Sequence, residues 1–86
     1  MYVLEHYDWF GPIKDLEEVE KKIKEHLKGI DGVEFLGRFQ PENKKFHWTN
    51  FYKAKDFKTW ANVDFGWYDR TRDYKVHTHS VREYYV

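Results

Sequence analysis

The sequence contains no cysteine, and this absence removes several classes of function at once. Without thiols the chain forms no disulfide, no Cys-type zinc site, no iron–sulfur cluster and no thiolate nucleophile. The five glycines are scattered and build no phosphate-binding loop. Ser80, the only serine, lacks the flanking glycines of a nucleophile elbow. The best-known covalent and nucleotide-binding chemistries are therefore excluded.

Net charge and long apolar runs are lacking as well. Fifteen Lys and Arg residues balance fifteen Asp and Glu residues, so no overall field attracts nucleic acid or anionic lipid. No stretch approaches the ~20 apolar residues of a membrane-spanning helix. Residues 1–6 lack the basic start and apolar run of a signal peptide. We therefore expect a cytoplasmic protein that binds neither membranes nor, in the leading interpretation, nucleic acid.

Aromatic residues are abundant instead. Four Trp, seven Tyr and seven Phe make eighteen rings in 86 residues. Each ring can bury ~150–250 Å², so the core of a small protein can be stabilised without metal or disulfide. A chain of this length is short for more than one core, and we expect residues 1–86 to form a single domain.

The clearest predicted element is a helix over residues 13–28. Apolar residues recur there at steps of three and four and form one stripe: Leu16, Val19, Ile23, Leu27 and Ile30. Asp15 and Glu18 have the spacing of a capping box at the start of this helix. A second helix is expected to begin at Asp56, because helical spacing joins Phe57, Trp60, Ala61, Phe65 and Tyr68.

Four segments rich in β-branched and aromatic residues are predicted as strands: 2–9, 33–39, 46–53 and 76–85. The order of elements is therefore strand, helix, strand, strand, helix, strand. With right-handed crossovers, this order closes most simply as a ferredoxin-like α+β fold. Such a fold has a four-stranded antiparallel sheet with both helices on one face.

The predicted strands carry apolar residues on both faces, although a sheet with helices on one side should alternate. In the first strand Val3, Tyr7 and Trp9 share one face, while Tyr2 and Leu4 share the other. A contiguous exposed aromatic patch marks an interaction site. We expect either a second copy of the chain, sheet against sheet, or nucleic-acid bases stacked on the rings to cover the second face.

The size, the order of elements and the two-sided strands resemble the dimeric α+β-barrel superfamily. Its members are ferredoxin-like protomers that dimerise through their sheets, and they include small antibiotic-biosynthesis-type monooxygenases. The resemblance covers nearly the whole chain as a pattern and implies a homodimer. It also implies a cofactor-independent monooxygenase-type activity.

The RNA-recognition motif has the same order of elements. Its third-strand signature is similar to residues 44–51 at one base and three aromatic positions: Lys44, Phe46, Trp48 and Phe51. Lys45 and His47 replace the two small residues of that signature, and the chain lacks a basic footprint. The alternative function is therefore a single-stranded RNA-binding module that stacks bases on Tyr2, Phe46 and Trp48.

Several polar residues interrupt otherwise apolar predicted strands: Arg38, His47, Asn50, Arg82 and Glu83. Inside a covered interior each needs a partner or a ligand, since an unpaired buried polar group costs ~1–3 kcal/mol. Arg38 is suited to a carboxylate. Arg82 and Glu83, near the C-terminus, are expected at a strand end or edge.

His77 and His79 place two imidazoles on one strand face, about 6.6–7 Å apart along the backbone. This spacing can chelate Zn²⁺, Cu²⁺ or Fe²⁺ if His6 or Glu5 of the first strand supplies a third ligand. The competing interpretation, which so loose a motif favours, is a pair of half-buried histidines held by hydrogen bonds. We therefore expect no metal and no other cofactor.

Our leading interpretation is a homodimer whose aromatic and histidine-lined cavity binds a small apolar or aromatic molecule. The side chains expected to bind this ligand are Tyr7, Trp48, Tyr52, Trp60 and Arg38. The candidates for proton transfer are His47, His77 and His79. Whether the protein is an enzyme stays open, and a purely structural dimer is the third interpretation.

Overall fold

A computed structural model describes residues 1–42, 44–63, 75 and 81–86. Over these residues the chain forms a four-stranded antiparallel sheet with two helices, which confirms the α+β class. The elements in chain order are β1 (Tyr2–Tyr7), α1 (Ile13–Lys28), β2 (Val33–Phe39), β3 (Trp48–Ala54), α2 (Phe57–Ala61) and β4 (Val81–Tyr85).

The sheet has the strand order β2-β3-β1-β4, so β1 and β3 are its central strands. Every pairing is antiparallel, and β3 therefore separates two parallel strands, β1 and β2, which α1 connects. In the centre Val3 lies opposite Tyr52 and Tyr7 lies opposite Trp48. A bulge at Phe35 and Gly37 shifts the register between β2 and β3 by one residue.

Helix α1 has the bounds that its apolar periodicity predicts. Leu16, Ile23 and Leu27 form its buried stripe. The predicted capping box is wrong, because Pro12 is the N-cap residue and no side chain caps the helix. The Asp15 carboxylate instead lies 3.0 Å from Nζ of Lys75, an ion pair that ties the first turn to a later part of the chain.

Helix α2 begins as predicted and is short. The Asp56 carboxylate accepts a 2.7 Å hydrogen bond from the Thr59 backbone N–H, which confirms the expected N-cap. The helix ends at Ala61, so the longer helix that the spacing of apolar residues predicted is wrong over the described residues. Phe65 and Tyr68 lie outside the described residues.

Both helices pack on the same face of the sheet. Ile23 and Leu27 of α1 and Trp60 of α2 join one buried cluster with Val3 and Tyr52 of the central strands. The Tyr52 ring is the centre of this cluster, with its centroid 4.9 Å from the Trp60 ring. The Phe35 ring packs edge-on against Tyr52 at 5.3 Å. Ring-to-ring packing therefore stabilises this core, as the composition indicated.

Side chain–backbone hydrogen bonds shorten both central strands relative to the sequence prediction, so that β1 ends earlier and β3 starts later. The His47 backbone N–H donates to Oδ1 of Asp8 at 2.9 Å. The Trp9 backbone N–H donates to Nδ1 of His47 at 3.0 Å. Because these bonds replace the ladder, β1 stops at Tyr7 and β3 starts at Trp48. The predicted start of the last strand, residues 76–80, lies outside the described residues.

The second face of the sheet, which points away from both helices, also carries rings. Tyr2 stacks on Phe51 with centroids 5.4 Å apart, and Tyr2 is 41% exposed. Three further apolar side chains of this face are exposed: Leu36, Phe39 and Tyr85. The expectation that apolar residues lie on both sides of the sheet is therefore confirmed. Among the described residues, no helix is long and apolar enough to cross a membrane.

We predict that Ile23→Ala lowers the free energy of unfolding by about 2–4 kcal/mol, because it leaves a cavity between α1 and the sheet. Ile23 is 2% exposed, while Ile13 on the same helix is 46% exposed. Ile13→Ala is therefore the matched control and should change the free energy by less than about 1 kcal/mol. Urea unfolding followed by tryptophan fluorescence measures both, and equal losses would contradict the packing of α1.

Candidate functional site

Cross-strand pairing aligns four polar residues, one from each strand, in a line across the whole sheet. Arg38 of β2 lies opposite Asn50 of β3, Asn50 lies opposite Glu5 of β1, and Glu5 lies opposite Arg82 of β4. We call these four residues the polar row. Glu5 lies between Val3 and Tyr7 in sequence and shares their face, so the row runs along the helix-covered side.

Aromatic residues flank the polar row on both sides. One neighbouring line across the sheet contains Phe35, Tyr52, Val3 and Tyr84, and the other contains Trp48 and Tyr7. Glu5 and Asn50 are each only 1% exposed at the centre of the row. Apolar residues at these two positions would complete the core, so the row is a polar interruption of an aromatic interior.

The central part of the row is held by one short hydrogen bond and several long ones. The Tyr7 hydroxyl donates to Oδ1 of Asn50 at 2.9 Å. The remaining distances among Asn50 Nδ2, Tyr52 Oη and Glu5 Oε1 are 3.4–3.5 Å. Since buried N–H···O and O–H···O bonds are usually below about 3.2 Å, these three contacts are weak. Donors and acceptors from three strand positions therefore lie close together at the centre of the row.

The charge of Glu5 is balanced at the β4 end of the row. Nη2 of Arg82 lies 2.9 Å from Oε2 of Glu5. The Arg82 side chain is 39% exposed, while that of Glu5 is 2% exposed. The guanidinium also lies 5.7 Å from the centroid of the Trp60 ring. The pair therefore connects a buried carboxylate with solvent, and Arg82 is not merely a residue of the strand edge.

The β2 end of the row is a second ion pair, between the sheet and α1. Nε of Arg38 lies 2.6 Å from Oε1 of Glu20, and both side chains are about 15% exposed. Cζ of the Arg38 guanidinium lies over the Trp48 ring, 4.1 Å from its centroid. Burial raises the pKa of Glu20 above its ordinary value, although Arg38 and Lys24 attract the ionised form and oppose that shift.

The five residues that the sequence analysis expected to bind a ligand all lie on the helix-covered side of the sheet. Tyr7, Trp48 and Tyr52 lie on the helix-covered face of the central strands, and Arg38 lies beside them on β2. Trp60 reaches the same face from α2. Tyr52 and Trp60 belong to one core cluster, and Tyr7 and Trp48 to another. The role of these residues in binding stays a prediction.

His6 and His47 lie apart from the polar row. His47 precedes β3, with its side chain 48% exposed, and contacts Asp8 and Trp9. His6 lies on the second face, where Nδ1 is 2.8 Å from Oγ1 of Thr49 and Nε2 is 3.4 Å from Oε2 of Glu83. His6 and Glu5 point to opposite faces of β1, so they do not join one metal site. His77 and His79 lie outside the described residues.

Within the described part of the chain, no three His, Asp or Glu side chains are grouped closely enough to hold a metal ion. A cleft of about 530 Å³ opens where β2 begins and β3 ends, and charged residues line much of it: Asp31, Glu34, Lys53 and Lys55. This cleft is not the aromatic cavity that the sequence analysis expected. The polar row is therefore the stronger candidate site.

The three rings expected to stack RNA bases do not share a face. Tyr2 is on the second face, while Trp48 lies on the helix-covered face, beneath Arg38. Phe46 precedes β3 and stacks on His6 of the second face at 5.1 Å. Phe46 and Trp48 lie on different faces although they are two residues apart, because the strand begins only after Phe46. A platform of Tyr2, Phe46 and Trp48 is therefore not formed.

The sequence analysis underestimated Glu5 and Asn50. Glu5 was considered only as a metal ligand, and Asn50 only as one of several polar residues in an apolar strand. Each is a polar residue at an inward-facing position between two inward-facing apolar or aromatic residues. Val3 and Tyr7 flank Glu5 in β1, and Trp48 and Tyr52 flank Asn50 in β3. That alternation was readable in each strand separately. The side-by-side placement of the two residues needed the register.

Comparison with known proteins returns no match: no family model fits the chain, and no curated protein or solved structure matches it. The fold defines the class, a small α+β protein with an antiparallel sheet. The candidate site is therefore defined by the side chains of this chain alone.

We predict that Glu20 makes the stability of the fold depend on pH. Because its folded pKa is raised, its stabilising contribution is complete below the unfolded pKa of about 4.5 and is lost as the pH rises through the folded pKa. The free energy of unfolding of the wild type minus that of Glu20→Gln should therefore fall with rising pH. Urea unfolding between about pH 4 and pH 7 measures this difference.

Glu18→Gln is the matched control for this experiment, because Glu18 is exposed on the same helix. A surface carboxylate contributes little, so the wild type minus Glu18→Gln difference should stay nearly flat over the same range. A Glu20→Gln difference that is equally flat would contradict the burial of Glu20 against the sheet.

Proposed function

We propose that the protein binds a small, largely apolar or aromatic molecule over the polar row, between the sheet and its helices. The observation that carries this proposal is the row itself, in which Glu5 and Asn50 are buried among aromatic side chains. Ligand sites are typically apolar pockets with a few polar groups that fix orientation. The polar row and its flanking rings have this composition.

The energetics of the row support binding rather than a structural role. Buried ion pairs are often no more stabilising than apolar residues of the same volume, because desolvation offsets their attraction. The weak 3.4–3.5 Å contacts around Asn50 add little to the stability of the fold. A ligand hydroxyl or carbonyl placed among these groups would form hydrogen bonds in a water-poor, aromatic environment.

The proposal concerns binding first. The monooxygenase-type reaction that the resemblance implies stays a prediction, as do the proton-transfer roles of His47, His77 and His79. If the bound molecule does react, the hydroxyl of Tyr7 and the carboxylate of Glu5 are the nearest described groups for proton transfer at the row. The cytoplasmic location also stays a prediction.

Phenol is a suitable probe, because it combines a ring with one hydroxyl that donates and accepts. We expect phenol to shift the backbone amide NMR signals of Tyr7, Trp48 and Asn50 in a titration of the ¹⁵N-labelled protein. Asn50→Leu should weaken phenol binding about tenfold, which corresponds to the loss of one buried hydrogen bond of about 1.4 kcal/mol.

Thr49→Val is the matched control, because Thr49 is also buried in β3 but points to the second face. Its phenol affinity should equal that of the wild type. Signals that move only on the second face, or equal affinities of Asn50→Leu and the wild type, would show that the row is not the binding site.

A second proposal concerns assembly: we propose that the chain is a ferredoxin-like protomer that pairs with a second copy through the second face of its sheet. The order of elements and the insertion of β3 between β1 and β2 support the ferredoxin-like arrangement. The exposed rings of Tyr2 and Tyr85 and the apolar side chains of Leu36 and Phe39 support the pairing.

Light scattering after size-exclusion chromatography tests this pairing. We expect the wild type to have a mass of about twice 10.7 kDa. Phe39→Lys should shift the protein to the monomer, because a charge in an apolar interface loses its hydration. Ile13→Lys is the control, since Ile13 is exposed to a similar degree on α1, 46% against 43% for Phe39.

A wild type that stays monomeric at all concentrations would overturn the pairing. Salt-sensitive binding of single-stranded RNA by that monomer, with quenching of tryptophan fluorescence, would then favour the RNA-binding alternative.

A further inference from the structure

The second face of the sheet contains a connected group of polar side chains among its apolar residues. Nδ1 of His6 lies 2.8 Å from Oγ1 of Thr49, and Nε2 of His6 lies 3.4 Å from Oε2 of Glu83. The Tyr85 hydroxyl donates to the same Glu83 oxygen at 2.6 Å. The Phe46 ring stacks on the imidazole with centroids 5.1 Å apart. The imidazole therefore has an oxygen atom beside each of its two nitrogens.

We propose that the pairing of two copies through the second face takes up protons on His6, so that the dimer is tighter at about pH 6 than at about pH 8. This inference rests on the proposed pairing of the chain, because it names the regulation of that same surface. Histidine is the side chain whose charge ordinarily changes within this pH range.

The contacts of His6 suit the protonated ring. A neutral imidazole has one N–H and one lone pair, whereas a protonated imidazole donates from both nitrogens. The oxygen beside Nδ1 belongs to the buried hydroxyl of Thr49, and the oxygen beside Nε2 belongs to the carboxylate of Glu83. The protonated ring donates to both oxygens at once and balances the charge of the carboxylate.

The carboxylate of Glu83 is the reason why pairing requires a proton. Glu83 lies opposite Leu4 of β1, which in turn lies opposite Phe51 of β3, so its neighbours across the face are apolar. Its side chain is 45% exposed in the single chain. Hydrogen bonds from Tyr85 and His6 hold the pKa of Glu83 below its ordinary value, so it is ionised at neutral pH. A second copy that covers this face removes water from the carboxylate, and a buried carboxylate needs a paired positive charge.

Within one protomer the other charged side chains of the described strands are directed elsewhere. On the second face, Glu34 and Lys53 lie opposite each other on β2 and β3, and β1 separates them from β4. Arg82 of β4 contacts Glu5 on the helix-covered face. His6 is therefore the group of the described second face that is placed to neutralise the β4 carboxylate.

The overall charge of the chain acts in the opposite direction, which makes the sign of the effect informative. The formal net charge is zero when all five histidines are neutral. Lowering the pH protonates histidines and gives both copies positive charge, so general electrostatics would weaken a dimer at lower pH. A dimer that tightens at lower pH therefore needs a specific group that takes up a proton on pairing.

Sedimentation equilibrium of the wild type at about pH 6 and about pH 8, at equal ionic strength, measures the effect. Because pairing binds protons, the dimer gains stability as the pH falls, and two histidines per dimer allow up to about 100-fold per pH unit. We expect the dimer dissociation constant to be at least about tenfold lower at the lower pH. Dilution calorimetry in two buffers of different ionisation enthalpy should also show protons released on dissociation.

Two substitutions assign the proton to the pair of side chains. His6→Gln removes the titrating ring, so the dimer should have the weak affinity of the wild type at about pH 8 under both conditions. Glu83→Gln removes the anion, so a protonated His6 then lacks its counter-charge. The Glu83→Gln dimer should therefore be at least as tight at the higher pH as at the lower pH.

Glu34→Gln is the matched control, because Glu34 is an exposed carboxylate of the same face that lies opposite Lys53 and apart from the imidazole. Its dimer should keep the pH dependence of the wild type. Loss of the dependence in this variant would show that the general charge of the face, and not the pair of His6 and Glu83, controls the assembly.

The outcomes distinguish this inference from the proposed pairing. A wild-type dimer that is equally tight at both pH values would overturn the proton uptake and leave the pairing intact, with a cation of the second copy then neutralising Glu83. A pH dependence that survives in His6→Gln would show that another group takes up the proton. A wild type that is monomeric at both pH values would overturn the pairing and this inference together.

Discussion

The pairing register of β1 and β3 is the constraint on which the rest of the structure depends. It places Val3 opposite Tyr52 and Glu5 opposite Asn50 on the face that the helices cover. Because side chains alternate along a strand, a shift of one residue would move both pairs to the other face. Asp8 and His47 close the end of this pair through two side chain–backbone hydrogen bonds. These bonds lie outside the ladder and help to hold the register.

The helix-covered face combines an apolar core with buried charges, and these two features conflict energetically. Packing favours an interior of rings and aliphatic side chains, which Tyr52, Trp60 and Ile23 provide. The polar row crosses that interior and carries two ion pairs, of which the one between Arg38 and Glu20 joins the sheet to α1. Buried charge is a costly way to hold a helix against a sheet. This cost is the physical reason for proposing that a ligand binds over the polar row.

The two faces of the sheet support separate proposals. The helix-covered face contains paired charges and few exposed groups, as expected where a small molecule is oriented. The second face contains exposed apolar groups such as Tyr2 and Phe39, as expected where a large surface is covered. Each side chain of a central strand belongs to only one face, so each proposal can fail without the other.

The sequence by itself determined the α+β class, the bounds of α1, the N-cap at Asp56 and the presence of rings on both sides of the sheet. Those features depend on local periodicity and residue type, which are readable within one segment. It also marked Arg38, Tyr7, Trp48, Tyr52 and Trp60 as candidate ligand-binding residues, because large or charged residues in apolar segments are conspicuous one at a time, and that role stays a prediction. It misjudged the ends of the strands and α2, where side chain–backbone hydrogen bonds and capping compete with propensity.

Only the tertiary structure decided that Glu5 and Asn50 lie side by side, that Arg38 pairs with Glu20, and that Trp48 faces away from Tyr2. These relations join residues that are distant in the chain. Their partners depend on strand register and helix packing, which one sequence does not specify locally. The individual polar residues were therefore visible in the sequence, but their assembly into one row across four strands appeared only when the sheet was formed.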